Sequence, residues 1–238
     1  MTQETKYRRF DGVRGESLPY YVVQAMAKEG MRPLTMSEFM RFRLESENNP
    51  TLNDLLIKPG SSYRGYKLAS LCIHEDSDII TIVPNATRYM ECQPGGIVLP
   101  GRNSSFKLKA VLDDYIENRN GSWGGDLRRS FQGYEFSREK LKNTLNRNHL
   151  TLEEARVHPI LQVLAEDGNL LNEYLQLTNK GGKCFEISTS VNDPDDLTYG
   201  LVNVIEILES TDRLYFYLGG NHPNVTRMIG KSIGEIRK

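Results

Sequence analysis

The sequence predicts an α+β protein made of two successive units, each a helical segment followed by a small antiparallel sheet. Three observations carry that reading. Helix-start signals with apolar residues three or four apart fill two blocks of the chain. After each block come short runs rich in β-branched and aromatic residues, cut by Gly, Pro, Asn and Asp. The order of parts is the same both times, which points to an internal duplication.

The first helix is expected over Leu18 to Glu29, with Ser17 as cap, Pro19 in the first turn and Gly30 just past the end. Thr35 and Glu38 then have the spacing of a capping box, in which each side chain satisfies a backbone N–H that a helix start leaves free. Met36, Phe39, Met40 and Phe42 form the buried stripe of that second helix, and Leu52, Leu55 and Leu56 a short third one. YKLASLCI, DIITIV, RYMEC, GIVL and SSFKLK read as an antiparallel meander. Helical pattern returns at Ala110 to Glu117 and again after Ser137, a cap for REKLKNTL. Thr151 and Glu154 make a second capping box, and Asn169 is expected to cap LLNEYLQLTNK, which runs into Gly181-Gly182. KCFEIST, LTYGLVNVIEIL, DRLYFYL and VTRMI close the chain as strands.

The expected domains are 1–118 and 135–238, with 119–134 as a Gly- and Trp-bearing linker, since a composition shift and a glycine cluster mark a boundary there. A hinge needs no chemistry. The same stretch also carries Trp123, Arg128, Arg129 and Tyr134, which suit stacking on bases or contact with a partner, and so a single-stranded nucleic-acid-binding protein is one alternative. Against it, 30 basic and 31 acidic residues give a net charge of −1, so no overall field draws the chain to nucleic acid, and Asp126, Glu135 and Glu139 dilute the patch.

The cluster CIHEDSDII offers a second alternative. On a continuous strand His74, Asp76 and Asp78 would share a face, and one imidazole with two carboxylates suits a divalent metal and a metal-dependent hydrolase or transferase. A polar loop between the apolar runs LASLCI and IITIV accounts for the same residues with less.

Neither a phosphate-binding glycine loop, a dinucleotide turn nor a serine-nucleophile elbow is present in a supporting context. Cys72, Cys92 and Cys184 are an odd number without C-x-x-C spacing, which suits reduced thiols in the cytoplasm; Cys72 and Cys92, in apolar runs, read as small buried hydrophobes. No stretch approaches the roughly 18 apolar residues of a membrane span. The aromatics Tyr20, Tyr21, Tyr215, Phe216 and Tyr217 suit an interface, and aromatics on both faces of LYFYL require something to cover each face. The sequence therefore favours a non-enzymatic intracellular binding or assembly protein, with a protein partner or a second copy of itself, and no membrane partner.

Overall fold

The structure is a computed structural model that describes residues 6–11, 19–56, 64–74, 79–87, 133–141, 145, 149–179, 182–188, 201–210, 213–218 and 227–233. In chain order the elements are β1 (Tyr7–Asp11), α1 (Pro19–Lys28), β2 (Met31–Pro33), α2 (Met36–Ser46), α3 (Pro50–Leu56), β3 (Arg64–His74) and β4 (Ile79–Val83). They continue with β5 (Tyr134–Ser137), α4 (Arg138–Leu141), α5 (Leu152–Arg156), α6 (Pro159–Ala165), α7 (Gly168–Thr178), β6 (Cys184–Ser188), β7 (Leu201–Glu209), β8 (Arg213–Tyr217) and β9 (Arg227–Ser232). The class is α+β, as the sequence predicts.

Local chemistry sets the helix ends. Gly30, at φ +66°, turns the chain out of α1 into β2, a conformation that costs glycine nothing. Both expected capping boxes are formed: the Glu38 and Glu154 amides donate to the Thr35 and Thr151 hydroxyls, and the same glutamates accept from the threonine amides. The cap of α7 differs from expectation. Asp167 rather than Asn169 starts it, its carboxylate accepting from the amides of Asn169 (2.8 Å) and Leu170 (3.4 Å). A charged acceptor at the positive end of the helix outcompetes a neutral amide two residues on.

Strands from both ends of the chain meet in a three-stranded antiparallel sheet of order β1-β9-β2. Helix α1 contacts all three strands, and Val22 and Met26 of the helix and Phe10, Met31 and Met228 of the strands are all buried. Gly230 is required here because a Cβ would come within 2.8 Å of the Phe10 ring. The larger sheet has six strands in the order β5-β4-β3-β7-β8-β6, antiparallel except for the β6–β8 pair. Its long central pair, β3 with β7, joins residues far apart in sequence. A duplication is not confirmed: the strand order does not repeat between the halves, because β1 pairs with β9 and β3 with β7.

The two sheets are linked at a bulge in β3, where Leu68, Ala69 and Ser70 lie opposite Ile205 alone. There the Ala69 amide donates to the Leu34 carbonyl (2.7 Å), and the Leu34 amide to that of Ile229 (3.2 Å). The Ser70 hydroxyl accepts from the Met36 amide (3.0 Å) and donates to the Pro84 carbonyl (2.6 Å), so one bulged residue satisfies a free N–H at the start of α2. Helices α2, α5, α6 and α7 cover one face of the large sheet: Phe39, Phe42, Leu161 and Leu171 pack with Ile80, Ile82, Ile207, Phe185 and Phe216.

Candidate functional site

Alternation in β6 and β8 builds two unlike faces. Phe185, Ile187, Leu214 and Phe216 point into the helix-covered core, and so Cys184, Glu186, Ser188, Arg213, Tyr215 and Tyr217 point the other way. Backbone register aligns the outward residues into rows. Lys67, Glu206, Tyr217 and Ser188 form one row across β3, β7, β8 and β6; Gly65, Leu208, Tyr215 and Glu186 form the next.

Burial falls along each row. Lys67 and Glu206 are an ion pair at 3.1 Å whose side chains are 2% and 1% exposed. Tyr215, Tyr217, Glu186 and Ser188 are only half-buried. Arg213 Nη1 donates to the Tyr215 hydroxyl (3.1 Å), its guanidinium lies over the Tyr215 ring, and it approaches Glu186 at 4.0 Å. Burial raises the Glu186 carboxyl above its ordinary range, with Arg213 and His149 pulling the other way. The result is a tyrosine-bearing surface of mixed charge, held in register by hydrogen-bonded strands.

On the helix side, Arg43 of α2 and Lys183 converge on Glu209 at 3.4 and 3.1 Å, which braces β7 against α2. Arg9 and Arg227 share Asp11 across β1 and β9, and Arg227 lies over the Tyr66 ring. These are ties between elements.

The residues singled out in the sequence fall as follows. His74 ends β3, its backbone opposite Ile80 and Leu201; Asp76 and Asp78 lie outside the described residues. Among the described residues no group of three or more His, Cys, Asp or Glu stands close enough to hold a metal. Trp123, Arg128 and Arg129 lie outside the described residues, and Tyr134 begins β5, half-buried opposite Ile82. Of the expected strands and helices, RYMEC, GIVL, SSFKLK and Ala110 to Glu117 also lie outside them. Cys72 is fully buried, and burial pushes its thiol far up. Cys184 is half-buried on the outward face, and Cys92 lies outside the described residues. His158 stands just before the first turn of α6, in a buried position that pulls its imidazole down to about 4.

The Lys67–Glu206 pair is absent from the sequence-based reading, yet it leaves a trace there. Each is a lone charge inside an apolar strand run, and opposite charges so placed suit strands that pair. Glu186 leaves no such trace, because in KCFEIST it is indistinguishable from any outward polar residue.

No family model matches this sequence, and none of the curated proteins does. A solved structure described as "Accommodation of massive sequence variation in Nanoarchaeota by the C-type lectin fold" superposes on 96% of this chain and 99% of its own, with a TM-score of 0.53 and 12% identity. The architecture is therefore that of the C-type lectin fold. Among the described residues no helix is long and apolar enough to cross a membrane.

Proposed function

We propose that this chain is a non-enzymatic binding protein that takes a protein partner on the outward face of β8 and β6. One observation carries the reading: on the side of the large sheet away from the described helices, two tyrosines, an arginine and a glutamate stand half-buried in register on adjacent strands. Tyrosine and arginine are the residues that most often anchor protein interfaces, and a sheet holds them in place before binding, which lowers the entropy cost of association. The fold adds support. In the structural neighbour it is described as accommodating massive sequence variation, and a binding surface that can change without unfolding its support is what such a scaffold offers. Here the described helices and their core lie on the opposite face, so substitutions at Tyr215 or Arg213 leave that core in place.

The test is to probe an array of immobilised proteins with the labelled chain and with the Arg213→Ala/Tyr215→Ala variant. The reading predicts binders that the variant loses while its melting temperature stays close to that of the parent. Binders retained equally by the variant, or no binder at all, would contradict it.

A further inference from the structure

Among the described charged residues of the outward face, Glu186 has the longest ion-pair contact. Its side chain is 12% exposed, and its one ion-pair contact is Arg213 Nη1 at 4.0 Å, with no hydrogen bond among the described residues. Other half-buried glutamates are far better served: Glu38 accepts from Arg32 at 2.7 and 2.8 Å and from Lys231 at 2.9 Å, and Glu209 accepts from Lys183 at 3.1 Å. Arg213 is 37% exposed and is already engaged with the Tyr215 hydroxyl and ring. A partly desolvated carboxylate gains more from an incoming cation than one in water, because the local dielectric is lower. The Tyr215 side chain stands directly beside it in register on β8, and an aromatic face attracts the same kind of guest.

We propose that Glu186 receives a lysine or arginine side chain of the partner protein, with Tyr215 forming the adjoining aromatic wall. This rests on the reading that the partner docks on β8 and β6. It gives that surface a chemical preference: the partner presents a basic residue, and acidic competitors are disfavoured because they would meet the Glu186 carboxylate, whose one ion-pair contact is at 4.0 Å.

The experiment is selection of random linear peptides displayed on phage against the wild-type chain, followed by affinity measurement on Glu186→Gln, Glu186→Lys and Arg213→Ala/Tyr215→Ala. Wild-type selections should share a Lys or Arg at one position and bind Glu186→Gln about tenfold more weakly, the scale of one charge-assisted contact. Selection on Glu186→Lys should replace that basic residue with Asp or Glu. Peptides that need Arg213 and Tyr215 but carry no shared basic residue, or that bind Glu186→Gln as tightly, overturn the cation site and leave the docking face standing. Peptides indifferent to the Arg213→Ala/Tyr215→Ala change, or no selected peptide, overturn both.

Discussion

The Glu38 carboxylate closes the capping box of α2 and, with the same two oxygens, holds Arg32 of β2 and Lys231 of β9. Burial alone would raise its carboxyl; the hydrogen bonds from Arg32 and Lys231, the Arg32 charge and the Thr35 amide outweigh that and bring it to about 2. A fall from 4.5 to about 2 is equivalent to about 3 kcal/mol of native-state stabilisation. Because the folded value is depressed, that contribution is present above about 4.5 and is lost as pH falls through about 2. Urea unfolding of Glu38→Gln at pH 7 should show a loss of about 1–3 kcal/mol, and the gap to wild type should shrink as the pH is lowered from 4.5 toward 2. A pH-independent gap would contradict this account. The capping role of Glu38 is legible in the sequence because its partner lies three residues away. The Lys231 contact is not, since it spans 193 positions and depends on how β9 pairs.

At the scale of elements, helix starts marked by local signals are read well, while α6 goes unread and sheet edges are read poorly. Capping boxes, the Gly30 stop and the apolar stripe of α2 are local signals, and each appears in the structure. β1 goes unread because its buried residues, Tyr7 and Phe10, are three apart and break the two-residue period of a strand. β5 goes unread because Tyr134 falls at the end of the glycine-bearing stretch, where composition suggests a joint. The α7 cap is a case of two candidates two residues apart, decided by charge. Asp167→Ala should lower stability by about 1 kcal/mol, while Asn169→Ala, exposed and one position inside the helix, should change it by only tenths. Denaturation of the two variants distinguishes them, and an equal or reversed effect would return the cap to Asn169.

Across the whole molecule, pairing between distant segments shapes the surface. β3 meets β7 and β1 meets β9, so the order of elements along the chain does not announce their order in space. The sequence does show these segments as strands, and with the two-residue period which residues of one strand share a face. Only register shows that Glu186, Tyr215 and Leu208 stand in one row, or that Lys67 answers Glu206. The buried ion pair on the two central strands and the half-open tyrosines toward the β6 edge form a graded surface, closed where β3 meets β7 and more open on β8 and β6. The most direct test of this account is hydroxyl-radical footprinting of the chain, free and saturated with a binder from the protein array. Tyr215 and Tyr217 should lose reactivity on binding while exposed positions of α2 and α7, such as Arg41 and Glu173, keep theirs. Protection of the helix side with both tyrosines unchanged would contradict it.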